Sequence, residues 1–154
     1  MSDTPLIFWT PYFARAASVL QQSGVHTIGL DFLPAITPET WLQGIQGLNH
    51  TRLAEYDLSF RQMLQRGHLI LVATHYRNQQ QDQLLLPHPD YLLSLPNLDI
   101  PHYIGYANLL SDADGSTREY DIQPQLTLPA ELRDTAPRLH FAALLAQRHG
   151  HARH

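Results

Sequence analysis

Polar side chains that could bind a ligand stand at the ends of three successive apolar segments of this sequence. Five residues take these positions: Asp31, Thr74, His75, Asn108 and Asp112. In a parallel sheet the carboxyl ends of neighbouring strands meet at one edge, where ligands collect. We therefore predict that these side chains converge on a ligand-binding rim. The alternative is that each one caps a strand or a helix locally.

Asp31 and His75 could also form a catalytic pair, because a carboxylate and an imidazole within hydrogen-bonding distance can move a proton. The sequence provides no marked nucleophile beside them. It has no cysteine, and none of its serines lies in a Gly-x-Ser-x-Gly pattern. All ten basic residues are arginine, which excludes Schiff-base and P-loop lysine chemistry. We expect no enzymatic activity; the alternative is a small hydrolase or metal-dependent enzyme that uses these two residues.

Two sequence patterns raise the question of a metal ion. Asp112, Asp114, Gly115 and Asp121 follow part of the spacing of an EF-hand calcium loop, but Leu110 stands where the first ligand should be. The ten histidines include no His-Glu-x-x-His or His-x-x-x-His pair of the kind that binds zinc. We therefore expect a plain turn at 112–115, no bound metal and no cofactor.

The length and composition of the chain favour one soluble domain. Its 154 residues, of which 44% are hydrophobic and 16% charged, suit a single packed core. The formal net charge of -4 gives no electrostatic reason to expect nucleic acid as a partner. No apolar stretch approaches the roughly 20 residues that a membrane span needs. We predict one domain over residues 1–154, with 148–154 as a frayed tail.

Alternating helical and strand-like segments predict an α/β domain. Apolar periodicity favours helices at 12–22, 37–46, 56–65 and 139–147, with Thr10 and Thr37 as caps of the first two. Apolar runs favour strands at 25–33, 68–75 and 103–110, a return strand at 116–122 and short strands at 6–9 and 84–86. Residues 79–83 suggest a polar loop. This order predicts a mostly parallel sheet flanked by helices, with an antiparallel hairpin at its edge.

Three segments, taken in this order, resemble the CHASE2 family of bacterial sensor domains. The first contains Gly24 and ends in the strand Ile-Gly-Leu-Asp-Phe-Leu at 28–33. The second leads from the helix at 57–65 into Gly-His-Leu-Ile-Leu-Val-Ala at 67–73. The third, and the most specific, contains Gly105, Asn108, Asp112, Asp114, Gly115 and Arg118. The resemblance covers about residues 8–147, although the long first strand of the family is missing or reduced to residues 6–9.

The resemblance implies an extracytoplasmic, periplasmic input domain of a membrane receptor, without chemistry of its own. It also implies flanking membrane helices and a cytoplasmic output domain of kinase or nucleotide cyclase type. The partners we expect are a small ligand or stimulus, those membrane helices and the output domain, with a homodimer as a candidate assembly. A protein-interaction module without a small ligand is a further alternative, which an absent pocket at the strand ends would favour.

Overall fold

The structure is a computed structural model that describes residues 5–43, 55–78, 81–108 and 121–151. Within these ranges the α-helices are α1 (Thr10–Gln22), α2 (Pro38–Gln43), α3 (Leu58–Gln65), α4 (Pro89–Leu92), α5 (Ile100–Tyr103), α6 (Ala130–Arg133) and α7 (Phe141–His151). The strands are β1 (Ile28–Gly29), β2 (Leu69–Asn78), β3 (Gln81–Leu85) and β4 (Ile104–Tyr106). Short 3₁₀ helices occupy Leu6–Trp9 and Pro96–Leu98.

The long strand β2 is the centre of the sheet and pairs with each of the other three strands. Its first residues pair in parallel with β1, the next three pair in parallel with β4, and its carboxyl half pairs antiparallel with β3. The amide of Leu30 donates to the carbonyl of Ile70, whereas the amide of Ala107 donates to the carbonyl of Ala73, both at 2.9 Å. Because carbonyls at even and odd positions point to opposite edges of a strand, β1 and β4 lie on opposite sides of β2.

Helices cover both faces of this sheet. On one face Leu69, Leu71 and Ala73 belong to a buried cluster with Phe60 and Leu64 of α3, and α1 contributes small alanines to the same cluster. The sheet register places Ile70 and Val72 on the opposite face, level with Gly29 and Gly105. Those two glycines lie against α7. The predicted α/β class, with a mostly parallel sheet flanked by helices, is therefore confirmed.

Gly105 permits the close approach of α7 to β4. A Cβ atom added at Gly105 would lie 2.6 Å from the Cα atom and 2.9 Å from the amide nitrogen of Phe141. Both atoms belong to the backbone and cannot rotate away, so only glycine allows this spacing. The packing of α7 against the sheet thus depends on the absence of a side chain at this position.

The antiparallel pairing of the sheet is made by β3. The turn and return strand predicted at 111–122 fall largely outside the described residues, and β4 itself runs parallel to β2. The loop predicted at 79–83 was wrong from Gln81 onward, because Gln81–Leu85 pairs with β2 along its whole length. Polar composition indicated a loop, but the strand gains its hydrogen bonds from the neighbouring chain segment.

Several local predictions for the amino end of the chain differ from the structure. Residues 6–9 form a 3₁₀ helix and not a strand, with the amide of Phe8 donating to the carbonyl of Pro5 at 3.0 Å. Thr10 lies in the first turn of α1, and Trp9 takes the cap position without a side-chain hydrogen bond. The second predicted cap is confirmed, since Thr37 Oγ1 accepts a hydrogen bond from the amide of Thr40 at 3.1 Å.

The strand predicted at 25–33 is reduced to the two residues of β1. Of the strand predicted at 103–110, the described part, 103–108, contains the three residues of β4, and 109–110 lie outside the described residues. Apolar composition extends well beyond both, but a strand continues only as far as a neighbouring strand bonds to it. Among the described strands, β2 is the only one that pairs in parallel with β1 or β4, and Tyr106 adds a single parallel bridge to His140. The helices predicted at 12–22, 56–65 and 139–147 correspond to α1, α3 and α7. The last of these continues to His151, into the expected tail.

Candidate functional site

Three of the predicted site residues meet where β4 ends beside β2. Asn108 Oδ1 accepts hydrogen bonds from Thr74 Oγ1 at 3.1 Å and from the amide of His75 at 2.9 Å. Asn108 Nδ2 donates to the carbonyl of His75 at 2.8 Å. The asparagine side chain thus continues the hydrogen bonding of the sheet one step beyond β4, where the backbone of the two strands no longer pairs. Asn108 therefore both caps the end of β4 and lies at the rim of the sheet, so the two alternatives hold together for this residue.

A cleft of about 360 Å³, lined by both polar and apolar groups, opens beside this junction. Residues from the carboxyl half of β2, from β3, from the end of β4 and from the segment 121–126 line it. They are His75, Tyr76, Asp82, Asn108, Asp121, Pro124, Gln125 and Leu126. The cleft therefore lies at the edge of the sheet where the carboxyl ends of β2 and β4 meet, the position in which α/β sheets bind their ligands.

Asp82 supplies a buried carboxylate to the wall of the cleft. Only 3% of the residue is exposed. Its Oδ2 accepts a hydrogen bond from the amide of Thr127 at 2.8 Å, and its own amide donates to the carbonyl of Thr127 at 3.1 Å. This double contact fixes the carboxylate and joins the segment 121–128 to β3.

Tyr106 lies behind the cleft, next to His75 and Asp82. The rings of Tyr106 and His75 are perpendicular, with their centroids 5.5 Å apart. Burial, together with the nearby Asp82 carboxylate, raises the pKa of Tyr106 to about 12, because both disfavour a phenolate anion. The phenol is therefore fully protonated at neutral pH and adds no charge to the site.

The segment 121–128 forms the outer wall and is tied down at both ends. Near its start, the amide of His140 donates to the carbonyl of Ile122 at 2.8 Å, and near its end Thr127 bonds to Asp82. Asp121 Oδ1 accepts from the amide of Gln123 at 3.0 Å, which holds an exposed carboxylate at the mouth of the cleft. The wall combines an acid and an amide with the apolar side chains of two further residues, Pro124 and Leu126.

The other two predicted residues are not part of this cleft. Asp31 is exposed and does not line it. It follows β1, whose last residue, Gly29, pairs with Ile70, five residues before His75 on β2. Asp112 lies outside the described residues, as do Asp114 and Gly115 of the calcium pattern. The structure therefore joins Thr74, His75 and Asn108 and leaves Asp31 apart from them.

Sequence reasoning missed Asp82 and Gln125, and considered Asp121 only as a position in a calcium loop. One signal could have found Asp82. It precedes Leu84 and Leu86 at intervals of two, the period of a strand with one buried face. No comparable pattern marks the wall segment, whose residues are placed by hydrogen bonds to distant parts of the chain.

The arrangement of these groups is suited to binding a ligand rich in hydrogen-bond donors. Carboxylate and amide oxygens accept hydrogen bonds, and the apolar wall can pack against a carbon skeleton. Among the residues that the structure describes, no group of three or more histidine, aspartate or glutamate side chains could hold a metal ion. No described helix is long and apolar enough to cross a bilayer.

Comparisons with known proteins add no information on the function of this chain. No protein-family model, curated protein or solved structure matches the chain. The fold and the site together define an α/β domain with a cleft at the carboxyl ends of its parallel strands. The resemblance of its sequence to CHASE2 domains stays a prediction.

Proposed function

We propose that this chain is the extracytoplasmic ligand-input domain of a bacterial membrane receptor, and that the cleft beside Asn108 binds a small polar ligand. The observation that carries the proposal is the position of the cleft. It opens at the carboxyl ends of two neighbouring parallel strands, where the side chain of Asn108 replaces the backbone pairing. The order of the sequence segments, which resembles CHASE2, supports the assignment to a receptor.

The chemistry of the cleft favours binding over reaction. None of the described residues that line it is serine, threonine, cysteine or lysine, the side chains that most often act as nucleophiles. The Asp82 carboxylate is engaged by the backbone of Thr127, and the neighbouring phenol of Tyr106 is protonated at neutral pH. These features support a site that holds its ligand unchanged.

The expected ligand is a polyol, a sugar or an amine. Asp82 and Asp121 offer carboxylate oxygens, and the side chains of Asn108 and Gln125 offer amide groups. Hydroxyl and ammonium groups satisfy these acceptors, whereas an anionic ligand would meet two negative charges. A cleft of about 360 Å³ accommodates a molecule of roughly the size of a monosaccharide or an amino acid.

Signal transfer follows from the same geometry. A ligand in the cleft contacts both the sheet and the tethered segment 121–128, which are separate parts of the chain. Binding would draw them together and change how the domain presses on a second copy or on flanking membrane helices. The output, of kinase or nucleotide cyclase type in this proposal, would lie on the cytoplasmic side.

Thermal-shift measurements with polyols, sugars, amines and amino acids test the binding proposal. We expect at least one class to raise the Tm saturably at millimolar concentration, because a ligand that binds only the folded state stabilises it. Asp121→Asn and Gln125→Ala should weaken that ligand about tenfold, as expected for a lost hydrogen bond to a charged group. Asp134→Asn, which changes an exposed carboxylate outside the cleft, is the matched control.

Two results would contradict binding in the cleft. One is a panel in which no compound changes the Tm. The other is a ligand whose affinity is the same for the two cleft variants, the control variant and the unaltered chain. The location is tested separately, by protease treatment of spheroplasts. External protease should cleave the domain in spheroplasts and not in intact cells, whereas protection in both would place it in the cytoplasm.

A further inference from the structure

A second groove, of about 290 Å³, lies between α1 and α3 and shares no lining residue with the cleft beside Asn108. Its base is apolar, because Ala14 and Met63 are both 4% exposed. Arg15 and Ser18 of α1 form one side. The groove is therefore an open channel with a dry floor and polar walls.

The opposite side is formed by Ser59, Gln62 and Arg66, the last directly after the end of α3. These residues follow each other at three- and four-residue intervals, as Arg15 and Ser18 do on α1, so each set lies along one stripe of its helix. Each wall thus presents one guanidinium and one hydroxyl group. No aspartate or glutamate is among the described residues that line the groove.

Arg15 and Arg66, the two arginines of the groove, differ from Arg61 of α3 in their ion pairing. Arg61 is held by Asp57 Oδ1 at 3.0 Å and by Asp90 Oδ2 at 3.1 Å. In the part of the chain that the structure describes, neither Arg15 nor Arg66 forms an ion pair or a side-chain hydrogen bond. Both arginines line the groove, one on each wall, and no described carboxylate lines it, in a protein whose net charge is -4.

We propose that this groove binds a phosphate group. Guanidinium groups bind oxyanions through paired N–H donors, and the serine hydroxyls add further donors. The donors come from two opposing helices, so a tetrahedral anion can accept from both sides at once. A planar carboxylate presents its two oxygens in one direction and would engage one guanidinium fully. The rest of a phosphate ester, in either a soluble molecule or a lipid, would extend out of the open groove.

Titration with inorganic phosphate, followed by ¹H–¹⁵N NMR at constant ionic strength, tests the proposal. We expect saturable shifts confined to residues 11–18 and 59–66. Arg15→Gln and Arg66→Gln should each weaken phosphate about tenfold, in line with the loss of one charged hydrogen bond. Arg138→Gln is the matched control, since Arg138 is also exposed and lies outside the groove. All three arginines are on the surface, so the variants should retain the amide spectrum of the folded chain.

Three outcomes overturn the proposal. Phosphate shifts that are equal in the three variants would show that the groove is not the site. Chloride shifts of the same size and place would show simple screening. Tighter binding of citrate than of phosphate would assign the groove to carboxylates.

A vesicle-binding experiment distinguishes a lipid headgroup from a soluble phosphate ester as the source of the phosphate. If the groove takes a lipid headgroup, phosphatidic acid vesicles should retain the chain, phosphatidylcholine vesicles should not, and Arg15→Gln should abolish the difference. If phosphate shifts the groove residues but the vesicles do not retain the chain, the ligand is a soluble phosphate ester. Either result supports the proposal, and the absence of both phosphate shifts and retention overturns it.

Discussion

The two halves of β2 lie in one continuous strand but serve different purposes. The five residues Leu69–Ala73 are at most 3% exposed, are flanked by parallel strands and are covered by helices on both faces. From Thr74 onward the strand pairs antiparallel with β3, and residues 74–76 are partly or fully exposed, with Tyr76 at 53%. The first half holds the domain together, and the second half shapes the cleft.

The difference shows how one strand combines stability with binding. Parallel strands are covered on both faces, which accounts for five successive apolar side chains in the first half. Where the cover ends, polar side chains are tolerated, since water or neighbouring side chains can satisfy them. Substitutions in the two halves should therefore have separate effects on stability and on binding.

The largest loss of stability is expected from Leu71→Ala in the first half of β2. Leu71 is fully buried, and its truncation should leave a cavity and lower the free energy of unfolding by about 2–5 kcal/mol. Leu85→Ala, at a position of β3 that is 43% exposed and pairs with Thr74, should cost less than about 1 kcal/mol. Urea unfolding measures both, and similar losses would mean that the first half of β2 contributes no more to stability than an exposed position of β3, the strand that pairs with the second half.

A slightly smaller loss of stability is expected from Gly105→Ala. The added methyl group would meet the backbone of Phe141, so α7 must move away from the sheet, at a cost of about 3 kcal/mol. Gly150→Ala provides the control on the same helix, because a Cβ atom there would have no neighbour within 4 Å. It should raise the stability by up to about 1 kcal/mol through helix propensity. Unchanged stability of Gly105→Ala would refute the close packing of α7.

Asn108→Ala should lower the free energy of unfolding by about 2 kcal/mol. It removes three hydrogen bonds and leaves the backbone of His75 without its partner at that edge. Asn108→Asp keeps the two accepting contacts but sets a carboxylate oxygen against the carbonyl of His75, so it should also lower the stability. The variants also differ at the cleft, so a ligand should bind Asn108→Ala more weakly than the unaltered chain. Equal stability of all three in urea unfolding would show that Asn108 does not support the sheet edge.

The last effect, a pH dependence due to Tyr106, is absent at neutral pH and appears only in alkaline solution. Its pKa is raised to about 12 in the folded state, so the unfolded chain releases the phenolic proton first, near its ordinary pKa of about 10. Stability should be unaffected below pH 10 and fall with rising pH between about 10 and 12, by up to about 1.4 kcal/mol per pH unit. Tyr106→Phe should reduce this slope but not abolish it, because burial also raises the pKa of Tyr91 and that phenol acts in the same direction. An identical slope in the variant would contradict the role assigned to Tyr106.

Much of the fold was predictable because its signals are local. The helical stripes of α1, α3 and α7 and the apolar run of β2 each show within a dozen residues. The ends of short elements were not predictable in this way. Residues 6–9 have the composition of a strand but form no strand pairing in the described structure, and the carbonyl of Pro5 and the amide of Phe8 close a 3₁₀ turn instead.

The candidate site was predictable in part. Thr74, His75 and Asn108 were found because parallel strands align their carboxyl ends, a rule that needs only the order of the strands. The same rule failed for Asp31, because β1 pairs at the beginning of β2 and ends several residues before the cleft. The rule gives the edge of the sheet on which a residue lies, but not its register along the central strand.

By itself the sequence determined the class of the fold, the central strand and the polar residues that follow it, since periodicity and apolar runs are properties of neighbouring residues. Only the tertiary structure decided which of these residues form one cleft. Asp82 enters through strand register, and Asp121 and Gln125 enter because contacts of Thr127 and Ile122 draw their segment across the sheet edge. Such contacts join positions some 18 to 45 residues apart, and no local pattern encodes them.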